Sequence, residues 1–176
     1  MLLLVPSMNA IELLKQQHQE VRDLFEQIEE AEDGDEKVEL VKELADNLAA
    51  HATIEEKIFY PTAYGEDTKD LLEEAVEEHL AAKRLLADLI KMDAKDTNFD
   101  AKVKVLKEEI EHHVEEEEGK LFPKVTLQLE PALLEGMGVQ MEELFEDEIA
   151  NDASANIPGE TRKAAPLKRK RGAASP

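Results

Sequence analysis

The chain has 176 residues, of which 36% are charged and 4% aromatic, with no Cys and a formal net charge of −21. That length suits one domain with a real core, and the lack of Cys excludes disulfides, thiolate metal sites and cysteine-held iron–sulfur clusters; it fits a reducing cytoplasm, where the sequence places the protein. Residues 151–176 carry six basic against two acidic side chains, a local balance of +4 that leaves −25 on the first 150 residues, so the acidic body should repel nucleic acid and anionic membrane.

Residues 1–7 read as an N-terminal extension, with Met8 an equally good start. They have neither the basic flank nor the length of a signal peptide, and no segment has the eighteen or so apolar residues of a membrane span. From residue 8, apolar positions recur at alternating three- and four-residue steps in four segments, the signature of helices with one buried seam. The first passes through Ile11, Leu14, His18, Val21, Phe25 and Ile28 and stops near Gly34. The second runs through Val41, Leu44, Leu48, His51, Glu55 and Ile58 and should stop at Pro61. The third opens after Asp67 or Thr68 and runs through Leu72, Ala75, His79, Ala82, Leu86 and Leu89. The fourth follows Asn98 as N-cap and runs through Val103, Leu106, Ile110, His113, Glu117 and Leu121, ending before Pro123.

Four such helices with short connections predict an all-α, up-down-up-down four-helix bundle. A short fifth helix over 132–149 completes a domain of residues 8–150. From Asn151 onward small, polar, Pro and basic residues predict a disordered basic tail over 151–176. Its Leu167-Lys168-Arg169-Lys170-Arg171 run reads best as a solubilising end that folds weakly onto the acidic body, its partner unknown.

Each seam is interrupted once by histidine: His18, His51, His79 and His113. At about 1.5 Å of rise per residue, all four fall roughly 14 to 16 Å from the same end of an antiparallel bundle. They converge on one layer. His51 and Glu55 are four apart, as are His113 and Glu117, so each pair shares a helix face about 6 Å apart along the axis. That spacing lets an imidazole bind one metal ion while the carboxylate reaches across to a second. The alternative, isolated carboxylates as core filler, leaves unpaired buried charge.

The two motifs also repeat one another. His51-Ala-Thr-Ile-Glu55-Glu56-Lys-Ile-Phe59-Tyr60-Pro61 aligns without a gap on His113-Val-Glu-Glu-Glu117-Glu118-Gly-Lys-Leu121-Phe122-Pro123. This register selects His113 over His112, and Glu55 and Glu117 over neighbouring glutamates. A ferritin-like di-iron site needs two Glu-x-x-His motifs; only Glu109-x-x-His112 fits, off the seam, and that architecture is rejected. Mixed imidazole and carboxylate donors suit iron, manganese or zinc.

The pattern of one His, a His-x-x-x-Glu, one His and a second His-x-x-x-Glu on four helices resembles the hemerythrin family, in its bacterial HHE cation-binding branch, over roughly residues 8–145. The resemblance implies two non-haem iron ions held by His18, His51, Glu55, His79, His113 and Glu117, with manganese or zinc less suited. It further implies binding of oxygen, nitric oxide or peroxide for storage, transport or sensing. The alternative functions are turnover of these molecules as an enzyme, and iron buffering. Oxygen-carrying hemerythrins have a fifth histidine four residues from the third-helix one; here those positions are Ala75 and Lys83. His112, Glu56, Glu118 and Tyr60 remain open as its replacement, as does which ion His18 and His79 each serve.

Overall fold

A computed structural model describes residues 8–167. The expected N-terminal extension over 1–7 and most of the basic run at 167–171 lie outside the described residues. Helix α1 spans Ala10–Glu30 and opens on a reciprocal cap: Asn9 accepts from the backbone N–H of Ile11 and Glu12, and the Glu12 carboxylate accepts from the Asn9 N–H. Asp33 caps α2 from one side, its carboxylate accepting from the N–H groups of Asp35 and Glu36. Helix α2 begins as Gly34–Ile54, widens into a π-helical turn at Glu55–Phe59, and ends in an α-helical turn, Tyr60–Ala63. Helix α3 is Lys69–Leu89. Helix α4 repeats the design of α2, with Phe99–Glu116, a π turn at Glu117–Leu121, and Phe122–Gln128. Helix α5 is Pro131–Ala150 and packs across α1 and α2.

The helices therefore do not stop at Pro61 and Pro123, as the sequence suggested. In each π turn the backbone bond spans five residues, from the Tyr60 N–H to the Glu55 carbonyl and from the Phe122 N–H to the Glu117 carbonyl. The α-helix restarts one residue before each proline, so the missing proline N–H falls in a first turn, where it has no required partner.

Two apolar clusters fill the bundle, one on each side of the histidine layer. One contains Phe25, Leu44, Leu86, Phe99 and Leu106; the other contains Leu14, Ile54, Phe59, Leu72, Phe122 and Met141. Gly138 is where α5 comes closest to α1: a Cβ there would sit 2.1 Å from the Met8 carbonyl oxygen.

The disordered tail expected from residue 151 is corrected over its first part. Ala153–Glu160 form a 3₁₀ helix lying on α2 and α3, with Ala153, Ser154 and Ile157 buried. Two apolar residues, Ala153 and Ile157, are too few to show periodicity, yet they pack into the core against α2 and α3. Polar anchors hold the segment: the Ser154 N–H donates to Asp46 at 3.0 Å, Lys83 pairs with Glu160 at 2.8 Å, and Arg84 donates to the Thr161 carbonyl at 3.0 Å. Within the described residues no helix is long and apolar enough to cross a membrane. The packing of Ile157, 1% exposed, predicts that Ile157→Ala lowers stability by about 2–3 kcal/mol in chemical denaturation. An unchanged midpoint would mean the segment is not part of the folded domain.

Candidate metal centre

All six residues singled out from the sequence lie in one buried layer, each 6% exposed or less. Glu55 and Glu117, the first residues of the two π turns, occupy its centre. Each of the four surrounding imidazoles turns its Nε2 inward. His51 Nε2 lies 3.3 Å from Glu55 Oε1, and His79 Nε2 lies 3.2 Å from Glu55 Oε2, so the two oxygens of one carboxylate face opposite histidines. His18 Nε2 lies 3.2 Å and His113 Nε2 3.6 Å from Glu117 Oε2.

The imidazoles fall into two pairs. His18 and His51 have ring centroids 5.0 Å apart; His79 and His113 are 4.8 Å apart, with their Nε2 atoms separated by 3.3 Å. Two overlapping donor sets result: His18, His51, Glu55 and Glu117, and Glu55, His79 and His113. Tyr60 enters the second set. Its fully buried hydroxyl is 2.9 Å from Glu117 Oε1, 3.2 Å from Glu55 Oε2 and 3.3 Å from His79 Nε2. Of the four candidates left open for the missing fifth histidine, Tyr60 is the one that reaches the inner layer. Ala75 packs in the apolar core, and Lys83 points away to Glu56.

Glu56 and Glu118 act one layer out. The Nδ1–H of each imidazole has its own acceptor: Glu118 for His18 at 2.8 Å, Gln17 for His51 at 2.8 Å, Glu56 for His79 at 2.9 Å and Glu78 for His113 at 2.7 Å. Bonds of this kind hold a proton on Nδ1, so that each imidazole in its neutral form presents the Nε2 lone pair to the centre. Gln17 and Glu78 were missed in the sequence. The available signal was their position, each directly before a seam histidine. His112 is more than half exposed and reaches only Glu78, at 3.5 Å.

Whether this layer fits a metal is decided by its unpaired atoms. Among the described residues, four buried side-chain N and O atoms lack a hydrogen-bond partner: His18 Nε2, His51 Nε2, Glu55 Oε1 and Glu117 Oε2. They are the four inward atoms of the first donor set. His18 and Glu117 come within 3.2 Å, and His51 and Glu55 within 3.3 Å, at angles that make no hydrogen bond. Lone pairs that converge on a common point without bonding each other suit a shared cation.

The charges respond accordingly. Burial disfavours an ionised His79, but hydrogen bonds and charge from Glu55 and Glu56 outweigh it and raise its pKa to about 10. Burial likewise opposes charge on Glu55, yet His51 and His79 hold its pKa well below the ordinary value. Burial first, then the charges of Glu117 and Glu55, push the Tyr60 phenol well upward, so it keeps its proton.

On one side of the histidine layer is a small chamber with room of about 30 Å³ for the centre of a water-sized molecule. One water needs about 10–15 Å³ by this measure, so the chamber suits a molecule of a few atoms. Its walls are the four imidazoles, Val21, Leu48, Ala49, Ala52, Ala82, Leu86, Ile110, Val114 and the stem of Lys83.

Comparison with known proteins agrees with this geometry. The profile of the Hemerythrin HHE cation binding domain matches residues 9–125. A DNA nickase of Nostoc sp. is 30% identical over 122 residues, 67% of this chain and 34% of that protein. An uncharacterized hemerythrin-like protein of Schizosaccharomyces pombe is 29% identical over 132 residues, 73% of this chain and 63% of that one. The chain thus spans about a third of the first relative and just under two thirds of the second. The crystal structure of a hemerythrin HHE cation binding domain-containing protein from Mycobacterium kansasii superposes with a TM-score of 0.73 at 26% identity, covering 88% of this chain and 95% of that one.

The raised pKa of His79 sets a pH dependence for the metal-free protein. Its contribution is fully present below the ordinary value of 6.5 and is lost as pH rises toward about 10. Thermal melts of metal-free protein should show Tm falling between pH 6.5 and 10, and His79→Gln should flatten that fall. An equally steep fall in the variant would remove His79 as its source.

Proposed function

The chain belongs to the hemerythrin HHE cation-binding family, and from that premise we propose that it is a non-haem di-iron protein that binds a small molecule such as oxygen, nitric oxide or peroxide. The carrying observation is the set of four buried, partnerless donor atoms beside an apolar chamber sized for a few atoms. His18 and His51 would hold one ion and His79 and His113 the other, with Glu55 and Glu117 bridging. The pairing is supported by the two ring pairs and by the opposed oxygens of Glu55. Iron is favoured over manganese and zinc by the family, since the donor types suit all three. When bound, such a pair supplies reversible redox and ligand-binding chemistry at an open position.

The chain's own residues do the rest. Outer acceptors lock each imidazole in the tautomer that presents Nε2. The alanine-lined wall leaves room for the guest, and the apolar lining keeps bulk water out. Turnover of the bound molecule is the second reading, carried by Tyr60, whose O–H is the one protonated donor placed against both bridging carboxylates. The named activity of the Nostoc relative is not carried over: two thirds of that protein lies outside the match, and a polyanion meets an acidic body here.

Metal analysis with optical spectra under anaerobic, oxygenated and peroxide-treated conditions tests this. About two irons per chain are expected, with an absorbance change on adding oxygen or peroxide. His51→Ala or His113→Ala should lose at least one iron, while His112→Ala keeps both. Equal loss in the His112 and His113 variants would sink the assignment, and bound iron with no ligand-dependent spectrum would favour iron buffering instead.

A further inference from the structure

The centre is built twice. The α1–α2 half and the α3–α4 half correspond through an internal two-fold that extends well past the ligands. His18 corresponds to His79, and His51 to His113. Glu118 accepts from His18 and is met by Arg22, four residues after that histidine, at 3.5 Å. Glu56 accepts from His79 and is met by Lys83, four residues after that one, at 3.0 Å. The acceptor for each remaining histidine is the residue just before the other histidine of its own half: Gln17 for His51, and Glu78 for His113. The aromatic residue before each proline stacks on a histidine, Phe122 on His18 with centroids 5.9 Å apart and Tyr60 on His79 at 5.6 Å.

Within this frame two breaks of symmetry lie directly against the histidines, and both have the same direction; a third lies one step further out, where Lys83 holds Glu56 more closely than Arg22 holds Glu118. Gln17 puts a neutral amide behind His51 where Glu78 puts a carboxylate behind His113. Phe122 offers His18 only a ring face, where Tyr60 brings an oxygen to within 3.3 Å of His79 Nε2. A carboxylate behind a ligating imidazole raises its donor strength, and loss of such a partner typically costs about 10–100-fold in metal affinity. The phenol keeps its proton, so its oxygen adds a neutral donor, which phenylalanine lacks altogether.

Resting on the two-metal reading above, we propose that these two breaks make the metal positions unequal: the His79–His113 position fills first and holds its ion more tightly, and the His18–His51 position, weakened by Gln17, is the exchangeable one. Gln17 is a positioning residue that acts through His51. The four partnerless atoms all belong to the His18–His51 set, whereas Tyr60 already occupies hydrogen-bonding capacity in the other, so the two sets differ in the metal-free protein as well.

Mutual repulsion would separate two binding steps even at identical sites, so the test must say which position fills first. Metal-free full-length protein is crystallised with one equivalent of cobalt(II), and anomalous scattering locates the ion. The expected peak lies beside His79 and His113; a peak beside His18 and His51, or equal peaks at both, overturns the proposal. In calorimetric titration with cobalt(II), Gln17→Glu should tighten the second step about 10-fold and leave the first unchanged. Glu78→Gln, at a partly exposed position that tolerates the change if the buried Gln17→Glu does not fold, should weaken the first step by a similar factor. A merely structural role would shift both steps together, and that result in either folded variant overturns the proposal. Wild-type protein that binds no cobalt overturns the two-metal reading itself and the order of filling with it, a different outcome from binding in reverse order.

Discussion

Two carboxylates, Glu55 and Glu117, are buried to within 1% at the centre of an otherwise apolar bundle, and most of the architecture answers to them. An isolated ionised carboxylate in such a place is strongly disfavoured, so it must be surrounded by groups that accept its charge. Four imidazoles and a phenol do this from four helix faces. They in turn need partners for their second nitrogens, and these come from Gln17, Glu56, Glu78 and Glu118. The polar layer therefore has depth. It runs from the central carboxylates through the histidines to Arg22, Lys83 and His112 near the surface, and it divides the apolar core in two.

The π turns follow from the same demand. The i→i+5 bond at Glu55 and at Glu117 inserts one residue into the helical register, and the residues beyond it rotate relative to those before. Both central glutamates stand where the register changes, and Tyr60 and Phe122 begin the restarted helices with their rings against His79 and His18. An uninterrupted α-helix through residue 60 would carry the Tyr60 side chain to a different angle from the one that meets both carboxylates. The distortion is part of the site.

How much of this the sequence carried depends on the kind of signal. The bundle and the six central residues were legible because the seam period is long and is broken by a histidine once per helix at a common height, with a glutamate four residues on in two of the helices. The gapless repeat between residues 51–61 and 113–123 fixed the register. The π turns were not legible: Pro61 and Pro123 read as stops, since a proline ends an α-helix unless the register has already been reset. The packed segment at Ala153–Glu160 was lost for the opposite reason, because its three buried residues make no period and its anchors, Asp46, Lys83 and Arg84, are distant in sequence. Gln17 and Glu78 showed only as the residues before two seam histidines. Their significance lies in which histidine of a neighbouring helix they reach, and pairing across helices is a property of the fold.

The two sides of the histidine layer differ in a way that bears on how a guest could reach the centre. On the side of Phe59, Tyr60 and Phe122 the rings pack together, Phe59 and Phe122 edge to face at 5.7 Å, and the two carboxylates are covered. On the other side Ala49, Ala52 and Ala82 stand where longer side chains would close the space, and the chamber is left. An arriving small molecule would therefore meet imidazoles and aliphatic walls, with the carboxylates beyond them. Dense aromatic packing holds the anionic centre rigid against the charge it carries, while small residues opposite keep a volume free without exposing that centre to water. Lys83 joins the two arrangements: its stem lines the chamber, and its ammonium ties Glu56, and through it His79, to Glu160 of the 3₁₀ segment. The packed C-terminal segment is thus mechanically connected to one histidine of the centre through a chain of three hydrogen-bonded side chains. The fold, and not proximity in sequence, gives residues beyond the bundle a hold on the site.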